Sequence, residues 1–448
     1  MPAKIDVPLL RKAVRAGPPA RVHRLLDKLE PVDIAPLLDE LSPAELRVVV
    51  QALTETSRLA DTLDLVPDEL LPEVLQNLDD RGIATILERF DADDATHLAH
   101  RLEDQRRDRV LALVKSERAE LIVRLMSYSQ DSAGGRMIPS YLAVLQETTV
   151  GEAIHHIRQA GGDVPLFYLY VVDKAQTLVG VASLGQLVKA SDETPVKQLM
   201  VTDLVTVGPD ADQEEVARVV AQRHLLAVPV VSPGGQLLGL VTIDDVIDVL
   251  EQEATEDMYR MAGLSEGDRV FSPPHRSLLK RLPWNAVNLV TSMIAATVVG
   301  LFEDTIAKLV ALATFMPVVA GIGGNTGNQT LTVVIRGIAL GELEFSSAIK
   351  AVAKELVVGI TIGLLMGTTV GAVAVLWKGN VMLGAVIAMA MVANLFVAAL
   401  AATAIPLTLK RFGLDPALGS TILVTMCTDV FGFLSFLGLA TLFMRWLM

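Results

Sequence analysis

Asp429 is the residue whose position points most directly to chemistry. It lies in an apolar run, residues 416–444, which is longer than the roughly 20 residues that cross the core of a bilayer. A carboxylate at that depth destabilises the segment by about 3 kcal/mol unless it is paired or hydrated. Thr425, four residues earlier, shares a helical face with Asp429. The pattern favours a cation pathway, and a structural hydrogen bond between helices is the alternative.

A polar stretch, GIGGNTGNQT at residues 321–330, interrupts the apolar sequence upstream. Its glycines allow either close packing or a break in the backbone, and a break is tolerated at membrane depth where it is buried or lines a water-filled cavity. Asn325, Asn328 and Gln329 offer neutral oxygens that suit a hydrated hard cation. Close helix packing through small residues is the structural alternative.

Carboxylates cluster in the polar part of the chain. Such groups repel one another unless cations screen them, so divalent ions bound between domains would turn the repulsion into attraction. For any single acid, a solvated helix face is the alternative. The clustered acids are Asp91, Asp93, Asp94, Asp212, Glu214, Glu215, Asp244, Asp245, Asp248, Glu253, Glu256 and Asp257.

An internal duplication covers residues 138–253. Residues 168–188 match residues 227–247 without a gap, and an amphipathic helix is predicted before each copy. The order strand, helix, strand, strand, helix, found twice, resembles a tandem pair of CBS domains. Such pairs often bind adenine nucleotides through a Thr or Ser followed three residues later by Asp. The second copy has Thr242 and Asp245, whereas the first has Ser183 and Gln186, so ATP is a candidate ligand with half of the usual pattern.

The sequence therefore predicts a multi-domain membrane protein with four regions. Residues 1–130 form an α-helical superhelix of short amphipathic helices, and residues 138–253 form the α/β tandem CBS domains. Residues 254–282 are expected to be a connecting helix that positions a plug, and residues 283–448 a five-helix transmembrane bundle. The five apolar segments are residues 284–302, 306–322, 352–377, 381–409 and 416–444.

Charge is distributed unevenly between these regions. Only seven of the 52 acidic residues lie in residues 283–448, so the first 282 residues carry a net charge of about −15. An acidic surface argues against nucleic acid as a partner and suits cations. The N-terminal residues have no apolar stretch of signal-peptide length, which predicts a cytoplasmic N-terminus. Basic residues in alternate loops predict the same orientation, with the C-terminus outside the cell's inner (plasma) membrane.

Over nearly its full length the chain resembles the MgtE-type magnesium channels. The resemblance rests on the helical N-domain, the CBS pair, EATEDM at residues 253–258, GGNTGNQ at 323–329, and DPAL and TDV at 415–418 and 428–430. It implies a homodimer with one pore at the twofold axis. It also implies that Asp429 is the selectivity carboxylate, with Asn325, Asn328, Thr425 and Ala417 beside it.

The resemblance further implies that cytosolic Mg²⁺, bound between the N-domain, the CBS domains and the connecting helix, closes the pore. The residues that carry over to this role are Asp93, Asp94, Asp212, Glu214, Asp245, Asp248, Glu253, Glu256 and Asp257. Three positions depart from the family pattern: Thr421 at a polar position before the pore helix core, and His97 and His224 where some relatives have acids. Fewer sensor carboxylates would weaken gating.

Mg²⁺ uptake through a channel is the resulting expectation, and two alternatives remain. One is transport of a broader set of ions, Co²⁺, Mn²⁺ or Ni²⁺, although the single cysteine, Cys427, and the absence of His in residues 283–448 argue against a soft-metal site. The other is a CBS membrane sensor that does not conduct. An enzyme is not expected, because the membrane region has no nucleophile paired with a base.

Overall fold

The computed structural model describes residues 7–16, 19–56, 58–68, 70–160, 166–264, 267–268, 270, 272, 274–343 and 347–448. It divides into two compact units, one ending at Gln252 and one beginning at Glu253. The first is helical and then mixed α/β, and the second is helical. We describe each unit by itself.

Short helices that stack on one another form the N-terminal region. Pro31 begins α3, and Ser42 and Glu45 form a capping box at the start of α4, with the Ser42 N–H donating to Glu45 Oε2 at 3.0 Å. The helices are α1 (Val7–Ala16), α2 (Pro19–Leu26), α3 (Pro31–Asp39), α4 (Pro43–Glu55), α5 (Leu59–Leu63), α6 (Leu71–Leu75), α7 (Asp80–Arg89), α8 (Ala92–His100), α9 (Asp104–Leu111) and α10 (Ser116–Leu125).

Arginines tie successive helices of this region together. Arg58 donates to the carbonyls of Leu26 and Leu29, and Arg106 donates to those of Leu75 and Leu78, at 3.0 and 2.5 Å. Arg118 repeats the arrangement on the end of α7. Each guanidinium adds hydrogen bonds to carbonyls at or just after a helix C-terminus, where a cation also stabilises the helix dipole. The predicted superhelix is confirmed.

The CBS pair has the duplicated order that the sequence predicts. After α11 (Ala133–Arg136), the first copy contains β1 (Ala143–Leu145), α12 (Val150–Gln159), β2 (Tyr168–Val172), β3 (Leu178–Ser183), α13 (Leu184–Lys189) and a 3₁₀ turn (Val196–Gln198). The second contains α14 (Gln213–Arg223), β4 (Ala227–Val231), β5 (Leu237–Thr242) and α15 (Ile243–Met261). Its predicted first strand is reduced to one parallel bridge, Val207 with Val230.

The two copies match in register as well as in order. β2 pairs with β3 antiparallel, β4 pairs with β5 in the same way, and each pair has its irregularity at the equivalent position. In each copy a glycine stands opposite a valine, Gly180 opposite Val171 and Gly239 opposite Val230. A Cβ on Gly239 would lie 2.8 Å from the carbonyl oxygen of Ile138, so only glycine fits there.

Five long helices make up most of the second unit. They are α16 (Pro274–Gly300), α18 (Ala311–Ala339), α19 (Ala348–Lys378), α20 (Val381–Arg411) and α21 (Ser420–Leu442), with short helices α17 (Glu303–Lys308) and α22 (Met444–Leu447). Within the described residues, four helices are long and apolar enough to cross a membrane: α16, α19, α20 and α21. The fifth predicted span, α18, has 29 residues but contains the polar stretch.

The polar stretch lies inside the continuous helix α18, so of the two roles that its glycines allow, close packing holds and a backbone break does not. Three predictions about this unit are wrong in detail. The segment predicted to begin at residue 306 is divided between α17 and α18, and the connecting helix predicted for residues 254–282 is divided between α15 and α16. Pro416 does not begin α21, because the Asp415 carboxylate accepts from the Ala417 N–H at 2.7 Å in a turn that precedes the helix.

Helix α20 packs against α18, α19 and α21 and is the most buried of the candidate spans. Its contact with α19 depends on four glycines spaced by four residues: Gly359, Gly363, Gly367 and Gly371. A Cβ on Gly371 would lie 2.6 Å from the Gly384 carbonyl oxygen, and one on Gly367 would lie 2.8 Å from that of Ala388. The backbones therefore touch directly, as in other membrane helix pairs that meet through small residues.

We expect Gly371→Ala to lower the thermal unfolding midpoint of the detergent-solubilised protein. The added methyl group overlaps backbone that cannot move alone, and overpacking of this kind costs about 1–3 kcal/mol. Gly438→Ala on α21 is the matched control, because no atom lies within 4 Å of a Cβ there. Equal midpoints for the two variants would contradict the proposed close packing.

Candidate functional site

Asp429 lies on α21 with its side chain half-buried. Among the described residues, no hydrogen bond or ion pair reaches its carboxylate. Thr425 is half-buried one turn earlier on the same face. The Thr428 hydroxyl, by contrast, is fully buried and donates to the Thr425 carbonyl at 3.0 Å. Thr428 therefore has the structural role of a hydroxyl bonded to its own helix, whereas Asp429 has a charge without a partner in the bundle.

The polar stretch of α18 packs against this part of α21. A Cβ on Gly327 would lie 2.7 Å from Val424 Cγ1, and one on Gly324 would lie 3.9 Å from Thr428 Oγ1. The glycines thus bring the two backbones close together one turn from Asp429. Small residues between 321 and 330 pack against α21, and polar residues on other faces of α18 remain available to contact an ion.

The candidate pore residues of the polar stretch fall on different faces of α18. Asn325 and Gln329, which are four residues apart, are exposed on one face. Asn328 is half-buried, and its Oδ1 atom is buried without a hydrogen-bond partner. Ala417 is fully buried in the turn before α21, where it packs with Leu331 and Val424. The structure brings these residues to the α18–α21 contact, but it does not point them all the same way.

Two buried polar residues at this contact were not predicted from the sequence. Asn394 on α20 is fully buried between α18 and α21. Glu355 on α19 is also buried, and it accepts from Thr330 Oγ1 at 3.3 Å and pairs with Lys354 Nζ at 2.5 Å. Asn394 is a single polar residue inside an apolar run, which is the same signal that draws attention to Asp429, whereas Glu355 directly follows Lys354 near the start of α19.

Arg260 joins the end of α15 to the turn before α21. Its guanidinium pairs with both Glu256 and Asp415, and its carbonyl accepts from the Gly419 N–H at 3.1 Å. Glu256, a predicted Mg²⁺ ligand, is therefore engaged in an ion pair. Asp257 beside it is half-buried, and burial, followed by the charges of Asp415 and Glu253, raises its pKa to about 6.

A second anchor holds the connection between α15 and α16. The buried Asp268 carboxylate accepts from Ser277 Oγ and pairs with Arg281 Nε, both at 2.6 Å. The Tyr259 hydroxyl of α15 donates to the Asp268 carbonyl at 2.6 Å. Asp268 thereby fixes the start of α16 to the end of α15.

Carboxylates of α8 and α15 meet within the first unit. Asp93 is buried with one oxygen unpaired, and its pKa is raised by burial first and then by the charges of Asp94 and Asp245. Burial raises the pKa of Asp94 to about 7 and that of Asp245 to about 6. Burial also raises the pKa of Asp248. Arg136 is the nearby cation that favours their charged forms. We call Asp93, Asp94, Asp245 and Asp248 the acidic cluster.

Other predicted ligands have structural partners. Asp212 caps α14, accepting from the Glu214 N–H at 2.8 Å. No group of three or more His, Cys, Asp or Glu side chains in the described ranges is close enough to hold a metal ion. In the single chain, then, the acidic residues gather without forming a complete coordination shell.

The Thr242–Asp245 pair is a capping arrangement. Thr242 Oγ1 donates to Asp245 Oδ2 at 2.5 Å, and Ser183 Oγ donates to Gln186 Oε1 at 3.0 Å in the equivalent place of the first copy. Both pairs begin a helix after a strand. The spacing used to predict a nucleotide contact is therefore also explained by helix capping.

The two histidines that depart from the family pattern have distinct roles. His97 contacts Asp68 Oδ1 at 2.6 Å, and Arg101 pairs with the other oxygen of Asp68. His224 ends α14 with φ 53° and ψ 42°, a left-handed conformation common at helix C-termini. His97 thus contacts Asp68 within the N-terminal helical region, and His224 is an exposed residue that ends a helix.

Comparison with known proteins defines the class. Residues 316–439 match a family of divalent cation transporters, residues 29–131 match the MgtE intracellular N domain, and residues 134–193 and 196–252 match CBS domains. The chain is 39% identical over 332 residues to the magnesium transporter MgtE of Thermus thermophilus, covering 73% of each chain. It is 33% identical to the magnesium transporter MgtE of Bacillus subtilis, covering 80% of each.

This chain belongs to the MgtE family. A crystal structure titled as the cytosolic domain of the Mg²⁺ channel MgtE in complex with ATP matches with a TM-score of 0.50 and 34% identity, covering 55% of this chain and 100% of that one. The predicted resemblance and fold class are confirmed. The relatives are transporters, which also confirms a role in transport rather than in catalysis.

The raised pKa values predict how stability depends on pH. Between about pH 4 and pH 7, the folded first unit holds protons on Asp94 and Asp245 that the unfolded chain releases near 3.8. This stabilisation is complete below about pH 4 and is lost as pH rises through 6 to 7. In chelator, we expect the unfolding midpoint of the first unit to fall between pH 5 and pH 8.

Asp94→Asn should reduce this fall, because it removes the group with the higher pKa. Each kcal/mol corresponds to a shift of about 2–4 °C for a unit of this size. Calorimetry of the full chain in detergent measures it, with Asp203→Asn, an exposed acid, as the matched control. A midpoint that rises between pH 5 and pH 8, or an unchanged fall in Asp94→Asn, would contradict the assignment.

Proposed function

We propose that this protein is a channel for Mg²⁺ uptake, in which Asp429 is the carboxylate that the permeating ion meets. One observation carries the proposal: a half-buried carboxylate, which has no partner in the part of the chain that the structure describes, lies at the centre of a membrane-spanning helix, beside the polar stretch of α18. Such an arrangement is stable only if water or a cation reaches it. The naming of the relatives as magnesium transporters supports the choice of ion.

Two copies of the chain form the conducting unit in this proposal. Asn325 and Gln329 are exposed on one face of α18, and amide side chains facing lipid are unfavourable. A second copy placed against this face would enclose the amides and both Asp429 carboxylates around one water-filled path. Mg²⁺ dehydrates reluctantly, so Asp429, Thr425 and Asn328 would contact it through its retained waters.

The acidic cluster is the proposed sensor of cytosolic Mg²⁺. Asp93, Asp94 and Asp245 repel one another, and Asp64 repels both Asp94 and Asp248. Arg136 offsets only part of this repulsion. A bound divalent ion stabilises the arrangement in which they meet. It closes the pore if that arrangement belongs to the closed state. Asp212, Glu214, Glu253, Glu256 and Asp257 stay predictions as further Mg²⁺ ligands.

ATP is a proposed ligand of the CBS pair. The support is the solved cytosolic domain of an MgtE channel with ATP, together with Thr242 and Asp245 at the start of α15. An ATP ribose would compete for the Asp245 carboxylate that now caps Thr242. ATP and the acidic cluster therefore share one residue in this proposal.

The orientation follows from the basic residues. Loops carrying most of the lysine and arginine face the cytoplasm, which places the N-terminus inside and the C-terminus outside the plasma (inner) membrane. The basic residues of the cytoplasmic side are Lys280, Arg281, Arg336, Lys350, Lys354, Lys410 and Arg411, and those of the opposite side are Lys308, Lys378 and Arg445.

We expect Asp429→Asn to lower Mg²⁺ flux into proteoliposomes by at least about tenfold, which corresponds to about 1.4 kcal/mol. Ser435→Ala on the same helix is the control, because its hydroxyl bonds to the Gly432 carbonyl of its own helix. Unchanged flux in Asp429→Asn would remove this residue from the pathway. Competition by Co²⁺, Mn²⁺ and Ni²⁺ in the same assay separates a Mg²⁺-selective pore from a broader one.

A second prediction concerns closure. With high Mg²⁺ on the cytoplasmic face, the double variant Asp94→Asn, Asp248→Asn should conduct about tenfold more than the wild type, within the usual range of allosteric coupling. The control Asp203→Asn should close normally. Normal closure of the double variant would exclude the acidic cluster as the sensor while leaving the pore assignment intact.

A further inference from the structure

Asn394 has the most unusual environment of the buried polar residues in the second unit. It lies in the middle of α20, its side chain is fully buried, and its Nδ2 atom donates to the Val319 carbonyl of α18 at 2.9 Å. Its Oδ1 atom is buried without a hydrogen-bond partner. A buried amide that lacks one of its hydrogen bonds destabilises a membrane helix bundle, so the position of Asn394 calls for an explanation.

Glycines of two other helices lie against the Asn394 side chain. A Cβ on Gly432 of α21 would lie 2.7 Å from the amide nitrogen and 3.0 Å from the amide oxygen, and a Cβ on Gly323 of α18 would overlap the amide as well. The amide therefore lies directly against the backbones of both glycines. One side chain fills the space at which α18, α20 and α21 meet.

This junction lies next to the candidate pathway. Gly432 is three residues after Asp429, so the two positions are neighbours on α21. Gly323 is at the start of the glycine and asparagine run of α18, and the following Gly324 faces Thr428. Asn394, which bonds to the α18 backbone and packs against the α21 backbone here, lies outside the motifs proposed to line the pore.

We propose that Asn394 is a positioning residue, whose amide sets the distance between the polar stretch of α18 and Asp429 on α21. The inference rests on the proposed function of Asp429. A leucine has nearly the same shape as asparagine but cannot donate to Val319, so Asn394→Leu removes the bond without leaving a cavity. Gly432→Ala displaces the same amide from the opposite side.

The helix spacing can be measured without transport. Cysteines at Gly324 and Thr428 in a Cys427→Ala background should form a disulfide on oxidation, because a Cβ at position 324 lies 3.9 Å from Thr428 Oγ1. Adding Asn394→Leu should reduce the rate of crosslinking by about tenfold. Adding Thr403→Val should not change it, because Thr403 is equally buried on α20 but bonds to Ala399 of its own helix. Unchanged crosslinking in Asn394→Leu would overturn the proposal.

Transport gives the second readout. In proteoliposomes, Asn394→Leu and Gly432→Ala should each raise the half-saturating Mg²⁺ concentration by about tenfold, because the ion meets a displaced carboxylate. Thr403→Val and Gly438→Ala should keep the wild-type value. A lower maximal rate with an unchanged half-saturating concentration would mean a purely structural role and would overturn the inference. If Asp429→Asn itself leaves flux unchanged, the proposed function fails, and the crosslinking result still decides the role of Asn394.

Discussion

The membrane unit is organised around one constraint: polar groups within a bilayer need a partner, because lipid offers none. Glu355 has Thr330 and Lys354, and Asn394 has the Val319 carbonyl. Asp429 has no such partner among the described residues. The difference separates structural from functional groups, since Glu355 and Asn394 bond to neighbouring helices, whereas the half-buried Asp429 carboxylate remains available to an ion or water from outside the bundle.

The same constraint explains which predictions failed. The glycines in residues 321–330 leave both a backbone break and close packing open, since glycine costs about 1 kcal/mol in a helix in water. In a bilayer, each unpaired backbone group costs more than that, so α18 stays helical through the stretch. The glycines serve instead to let Asn394 and α21 approach. At α21, proline suits a first turn, but the Asp415 side chain caps an earlier turn and the helix begins at Ser420.

Periodic and repeated features could be predicted from the sequence, and contacts between distant residues could not. The duplicated CBS order follows from a gapless internal match, and the superhelix from apolar residues at spacings of three and four. The arginines that cap preceding helices, such as Arg106 on the end of α6, have no local signal, because their partners lie about 30 residues away. Asp429 could be recognised by its charge. Asn394 could not be distinguished from a neutral packing residue until Gly323 and Gly432 were seen beside it.

Both units use carboxylates that have lost part of their hydration. In the acidic cluster, burial raises the pKa of Asp94 to about 7, so the charged form is disfavoured near neutral pH without a cation. In the membrane unit, the bilayer likewise makes a charged Asp429 carboxylate unfavourable without a cation or water. In the proposed function, a divalent ion relieves each of them by the same Coulombic attraction, and one ion then has two opposite effects. It would pass where the carboxylates line a path, and it would stabilise a closed arrangement where they join two domains. The difference between the affinities of the ion for the open and the closed state decides which effect dominates.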